Sequence, residues 1–397
     1  MKKKNWKKGV ILMIIILLVV LLTAVMVLLL ASGAFTKATY NEPWEKTYAQ
    51  KFDDPRVQLA AHGLLAPSGH NMQPWKIQLD ANANVFYLYA DSTRLTPEVD
   101  PFARQTMVTQ GAFLEYVSVA GEQLGYQTDI DLFPNGEYDE NNLLESMNAM
   151  PVAKVTLTKT DAAPSGLYDA LFLPDTNRAP YQDSPLTASQ IAQLKAINTD
   201  PDLQLLVFED EANRAALANI AVEGAKIESG LHRMNEESGK IFRANEREKN
   251  AYRYGYSVEG QGTSGFMKHV MQGLVTLFPA MNDEAASADL FVKSTQEAVA
   301  HTPAYAMILS NNNSRTEQVK SGMLYSKLVL TAHTLGIVMQ PPSQALEEYP
   351  EMSALYQQIH AEYAPNGSTI QMFVRMGFAT KSVPNSMRRD VNELLLP

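Results

Sequence analysis

Ser68, His70, Asn71 and Gln73 sit close together in the stretch LLAPSGHNMQPWKIQL (64–79), between an apolar run and a strand-like one. A hydroxyl, an imidazole and two carboxamides there offer many donors and acceptors. Pro67, Pro74 and Trp75 would keep the segment short and stiff. That density suits a planar heterocycle with alternating donors and acceptors, held by rigid loops. Flavin is one such molecule. The same residues also make ordinary turns, with Trp75 plugging a core.

Other chemistries find no footing. The chain has no HExxH, GxSxG, SxxK, P-loop or GxGxxG motif. Cysteine is absent, which excludes disulfides, thiolate metal sites and thiol catalysis. None of the seven histidines pairs with another at metal-ligand spacing on a helix, and His301 and His333 read as packing or surface residues. GQGTSG (260–265) lacks the preceding buried strand and following Lys-Ser/Thr of a phosphate loop, and reads as a flexible loop. No metal site and no side-chain nucleophile is expected.

The elements that must position the loop can be read from periodicity. Helices are expected at 55–67, 104–124, 187–197, 210–233 and 316–335. Strands are expected at 76–79, 85–90, 152–157, 203–208, 305–309 and 370–374. Gly125 stands where a helix C-cap belongs. Residues 235–265 are polar and irregular, which suits a mobile cover. Helices and strands mix throughout, so the expected class is α+β, with a mixed sheet flanked by helices.

Residues 9–31 carry no charge over a length that crosses a bilayer. Five lysines precede the run, so the positive-inside rule places the N-terminus in the cytoplasm and the main domain outside. The small residues Ala31 to Ala34 also suit signal cleavage, against which the length of the run argues for an anchor. Beyond residue 35 acidic residues outnumber basic ones by fifteen, a poor surface for nucleic acid. The expected organisation is a basic tip and membrane anchor at 1–35, a stalk at 36–54, one half at 55–160, a linker at 161–175 and a second half with a C-terminal arm at 176–397.

An internal echo links the halves. GAFLEYVSVAGEQLGYQ (111–127) and GMLYSKLVLTAHTLGIV (322–338) both run from glycine through an apolar helix to Leu-Gly. Any two glycine-capped helices share that outline. A duplication that fused two copies of one fold into an intramolecular pseudo-dimer would produce it too.

The run A-P-S-x-x-N-x-Q-P-W resembles the FMN-contacting loop of the nitroreductase family. DPFARQTMVTQGAFLEYVSVAGEQLGY (100–126) is similar to its central helix, TNRAPYQDSPLT (176–187) to its opening arginine segment, and MFVRMGFA (372–379) to its closing strand. SVPNSMRRD (382–390) resembles the tail of the fused-repeat, Acg-like branch. Together these cover most of 55–390.

The resemblance implies roles. Ser68, His70 and Asn71 would meet the isoalloxazine edge or the ribityl chain, with Gln73 supporting the loop. Arg178 would pair with the FMN phosphate, as would Arg375, Arg388 or Arg389, because guanidinium forks match phosphate oxygens. Arg178 also reads as a surface arginine capping a loop. Gln340 or Ser343 would donate the backbone N–H to flavin N5, because Pro341 and Pro342 have none. Arg104 would reach the pyrimidine edge or else pair with Asp100. The first half has the loop but only Arg56 where the family opens with two arginines, and the second half has Arg178 but no second loop. The implied stoichiometry is one FMN per monomeric chain.

The implied activity passes two electrons from a small-molecule reductant such as NAD(P)H to a nitroaromatic or quinone-like acceptor, the cofactor carrying the chemistry. A flavin-holding protein without turnover, and a scaffold that has lost FMN, are the competing readings.

Overall fold

The computed structural model describes residues 2–397. The helices are α1 (Lys2–Ser32), α2 (Pro55–Gly63), α3 (Arg104–Leu124), α4 (Leu143–Ala149), α5 (Ala188–Ala196), α6 (Glu211–Ser229), α7 (His232–Ile241), α8 (Glu246–Tyr252), α9 (Gly265–Leu277), α10 (Glu284–Ala300), α11 (Arg315–Thr334) and α12 (Ser353–Tyr363). The strands are β1 (Trp75–Leu79), β2 (Val85–Ala90), β3 (Tyr126–Leu132), β4 (Ala153–Lys159), β5 (Leu203–Phe208), β6 (Ala304–Ser310), β7 (Ile337–Gln340) and β8 (Thr369–Phe378). The class is α+β.

Two four-stranded sheets have the same connectivity. The first runs β1-β2-β4-β3 and the second β5-β6-β8-β7, every neighbouring pair antiparallel. The mixed character expected of the sheet therefore rests on one parallel bridge, from Leu395 in the C-terminal arm to Ile77 in β1. In the first sheet inward apolar residues face each other across the ladders, as at Ile77 opposite Leu88 and Ile130 opposite Val155, whereas β6 is buried on both faces.

The long helices α3 and α11 pack between the sheets and bring the halves together. A Cβ on Gly111 would lie 1.8 Å from the Val319 carbonyl oxygen, and one on Gly322 would lie 1.9 Å from that of Val108. Each glycine thus admits the backbone three residues before the other. Only a missing side chain permits so close a crossing. Arg104 and Arg315, each seven residues before its glycine, both reach into the opposite half. Arg104 donates to the Gln371 and Leu346 carbonyls, and Arg315 pairs with Glu140.

Several expectations need correction. Residues 36–54 do not form a stalk. Tyr40, Trp44 and Tyr48 are buried along two short 3-10 turns; the Tyr40 hydroxyl donates to Glu246, the Trp44 indole to the Ser386 carbonyl, and Tyr48 accepts from the Val391 N–H. The stretch 161–175 is not a bare linker, since Ala170 and Leu171 are buried and the Tyr168 hydroxyl meets His62. Residues 235–265 are mainly helical, with Arg243 capping backbone carbonyls and stacking on Tyr252 and Tyr254. The expected helix at 210–233 ends at Ser229, where Gly230 breaks it before α7. The C-terminal arm leaves the second sheet and ends on the first, with the Leu396 N–H bonded to the Ile77 carbonyl.

The helix α1 includes a 27-residue stretch (Trp6–Ser32), with an 18-residue window of mean hydropathy 3.5, long and apolar enough to cross a membrane.

Candidate functional site

The loop after α2 is strained. His70, Asn71 and Gln73 all take positive φ, at 50°, 53° and 51°. Non-glycine residues seldom adopt that region, so surrounding bonds must impose it. They come from two directions. The Asn71 amide donates to the carbonyls of Gly255 (3.0 Å) and Met387 (3.1 Å), and the Gly255 N–H donates back to the Asn71 carbonyl. The Gln73 amide donates to the Arg253 carbonyl at 2.9 Å, and its oxygen accepts from the Arg389 N–H at 2.8 Å. Ser68 accepts from the Gln73 N–H, and the Trp75 indole donates to the Thr109 carbonyl on α3.

Arg388 and Arg389 complete this clamp. Arg388 donates to the Asn71 side-chain oxygen (3.0 Å) and to the carbonyls of Leu65 and Ala66, lies over the Trp44 ring, and sits 3.7 Å from Asp175. Arg389 donates to the carbonyls of Gln73 and Glu393. Asn71, Gln73, Arg388 and Arg389 therefore hold one another. Gln73 supports the loop as expected, whereas most polar atoms of Asn71, Arg388 and Arg389, expected to meet the ligand, are engaged by protein.

Arg375 calls for the same correction. It is buried, stacked over Tyr181 at 4.0 Å, and bonded to the Gln340 side chain (2.6 Å) and the carbonyls of Asn177, Ala179 and Ala298. It shapes the turn that presents Arg178. The Gln340 side-chain oxygen accepts from Arg375, with which it pairs across β7 and β8, while Ser343 opens the next 3-10 turn. Arg104 meets Gln371, Leu346 and Glu348 rather than Asp100, whose carboxylate instead accepts from the Gln105 and Thr106 N–H groups at the start of α3.

Neither the Arg178 guanidinium nor the His70 imidazole has a hydrogen-bond or ion-pair partner among the described residues. Arg178 is solvent-accessible, yet burial chiefly lowers its pKa, offset by Asp175, Tyr181, Tyr325 and Tyr256. His70 is half-buried, its pKa lowered to about 4 by burial and then by the charge of Arg178. It is neutral at pH 7. The loop of the first half and the opening arginine of the second are thus close enough for the charge of Arg178 to reach His70.

Three residues missed in the sequence join them. The Tyr116 and Tyr325 hydroxyls are buried without a partner, one from each crossed helix, and their pKa values rise through burial first and Asp175 next. Their places on the helices that carry Gly111 and Gly322 were the available signal. Tyr256, one residue beyond the Gly255 contact, donates its hydroxyl to the Ser238 carbonyl, and burial chiefly raises its pKa, with Glu228 raising it further and Arg178 lowering it. Glu228 and Glu347 form a buried acid pair. Burial pushes Glu228 up to about 7, and burial followed by the charge of Glu228 pushes Glu347 up as well.

No family model matches the chain. It is 22% identical over 296 residues to the "Probable NAD(P)H nitroreductase PigM" of a Serratia species, covering 73% of this chain and 80% of that protein. It is 26% identical over 158 residues to the uncharacterized protein Rv3127 of Mycobacterium tuberculosis, covering 39% of this chain. That match spans 44% of the mycobacterial relative, less than half its length. Among solved structures, the FMN-dependent nitroreductase NfnB from Mycobacterium smegmatis in complex with NADPH aligns at 15% identity with a TM-score of 0.31, over 56% of this chain and 89% of that one.

Proposed function

We propose that this chain is an FMN-dependent oxidoreductase of nitroreductase type, folded as an intramolecular pseudo-dimer and anchored to a membrane by α1. What supports the reading is that Arg178 and His70, from opposite halves, both lack a protein partner among the described residues and lie close enough for the charge of Arg178 to lower the His70 pKa. A phosphate-bearing heterocycle fits these residues. Arg178 offers uncommitted donors and a positive charge, and Tyr116 and Tyr325 have buried hydroxyls without partners. When bound, FMN supplies two-electron redox chemistry.

Every protein group then has a binding or positioning task. Arg178 neutralises phosphate. His70, kept uncharged, presents a donor and an acceptor without adding a second cation beside Arg178. Asn71, Gln73, Arg388 and Arg389 hold the strained loop, and Arg375 holds the turn at 177–179. The electron donor is a small molecule such as NAD(P)H, and the acceptor a nitroaromatic or quinone.

The test is titration of FMN and riboflavin into the parent and Arg178→Ala. Loss of a charge-assisted contact of about 1.5–3 kcal/mol predicts roughly ten- to hundred-fold weaker FMN binding, with riboflavin unchanged. Equal FMN affinity in a folded Arg178→Ala would refute the assignment.

A second reading is a flavin-holding protein without turnover. It is favoured by the double backbone and side-chain tie between Asn71 and Gly255, which fastens residues 253–256 over the loop. Steady-state NADPH oxidation with menadione separates the two.

A further inference from the structure

The helix α9 is built inside out for a water-soluble protein. Its polar residues at helical spacing, Lys268, Gln272 and Thr276, face the body. Lys268 pairs with Glu246 (3.1 Å) and Glu259 (3.3 Å), the Gln272 amide donates to Glu246 (2.9 Å), and Thr276 accepts from Asn245. Its apolar residues face outward, with Phe266 60%, Met267 55%, Leu277 42% and Phe278 55% exposed. Met267, Met271, Leu274 and Phe278 recur at the spacing of one helical stripe. A helix that buries its charges and exposes its phenylalanines matches a bilayer interface, where the outer medium is apolar.

The position of α9 fits that medium. Gly273 meets the backbone of Leu28 in α1, where a Cβ would lie only 2.4 Å from the Leu28 oxygen. Leu28 is three residues inside the end of the charge-free run, about 5 Å at the helical rise. The middle of α9 is therefore level with the last turn of the apolar segment. Arg247 caps the Leu30 carbonyl at 2.9 Å, and the Gly33 position packs against Glu246. The body thus grips α1 where it leaves its apolar stretch, and the outward stripe of α9 continues the exposed surface of α1.

We propose that α9 and Phe278 insert into the lipid leaflet from which α1 emerges, so that the domain rests on the membrane instead of swinging from a tether. This rests on the reading of α1 as a membrane anchor. The occupant is lipid hydrocarbon at the headgroup boundary, because the outward stripe carries no charge with which to recognise an acidic headgroup.

The natural absence of cysteine makes the test direct. Single variants Met267→Cys, Phe278→Cys, Leu17→Cys on α1 and Leu144→Cys on α4 are spin-labelled in the full chain in neutral-lipid nanodiscs. Collision with oxygen and with a water-soluble nickel chelate is then measured. The inference expects oxygen-to-nickel ratios at 267 and 278 several-fold above that at 144. Water-like ratios at 267 and 278, with a lipid-like ratio at 17, overturn the inference and leave the anchor standing. A water-like ratio at 17 as well overturns both. Labels at 267 and 278 shielded from both reagents would mean a protein surface covers α9, such as a second copy, and would also overturn it.

Discussion

Replacing Glu228 with Gln perturbs the buried acid pair without emptying its space. Glu228 on α6 and Glu347 beyond β7 are buried, and each has one oxygen with no hydrogen-bond partner. Burial raises the Glu228 carboxyl from 4.5 to about 7, partly offset by the Gln344 amide. A carboxyl with a raised folded pKa holds its proton longer in the folded chain than in the unfolded one. Its contribution is therefore whole below about pH 4.5 and is lost as pH rises through about 7. At about 1.4 kcal/mol per pH unit, the loss reaches up to about 3 kcal/mol by pH 8. Gln has no proton to lose. Glu228→Gln should therefore gain up to about 3 kcal/mol on the parent between pH 4.5 and pH 8. Urea unfolding followed by the fluorescence of buried Trp44 and Trp75 measures the difference at each pH. A gap that stays constant from pH 4.5 to 8 would refute the proton-holding account of the pair.

Two further outcomes are expected. Gly111→Ala and Gly322→Ala each drive a methyl into an opposing carbonyl, so each should cost about 1–3 kcal/mol or more, read as lower urea midpoints for both variants; full stability in either would contradict the close crossing. Asn71→Ala removes bonds to Gly255, Met387 and Arg388 and leaves buried groups unsatisfied, which costs about 1–3 kcal/mol. Its melting temperature should drop with and without added FMN, whereas a drop seen only with FMN would mean that Asn71 serves the ligand directly.

Long periodic elements were legible in the sequence. The helix at 104–124 and the strand at 203–208 have the bounds that their apolar spacing and glycine or aspartate boundaries predict. Strand β3 was not seen, because Tyr126–Leu132 starts directly at the helix cap and puts Asp129 and Asp131 on its outward face. The body-packed segment at 36–54 looked polar, yet Tyr40, Trp44 and Tyr48 recur every fourth residue, a signal outweighed by the charges around them. Helix α9 was hidden because its outward face is the apolar one. The loop stood out through residue type and spacing, and Arg178 only through the resemblance of its segment, which also fits a surface arginine capping a loop. The tasks of Arg375, Arg388 and Arg389 did not, since a guanidinium reads the same in sequence whether it awaits a phosphate or grips three carbonyls. Only the fold brings those carbonyls to it.

The C-terminal arm also imposes an order on synthesis. Met387, Arg388 and Arg389 close bonds that hold Asn71 and Gln73 in left-handed geometry, and Leu395 and Leu396 tie down on β1. These residues leave the ribosome some three hundred positions after the loop they fasten. Until then the loop lacks the partners that enforce its strain, and the first sheet shows an open edge at β1. A nascent chain therefore carries an unclamped loop until residues 387–396 have been made and docked.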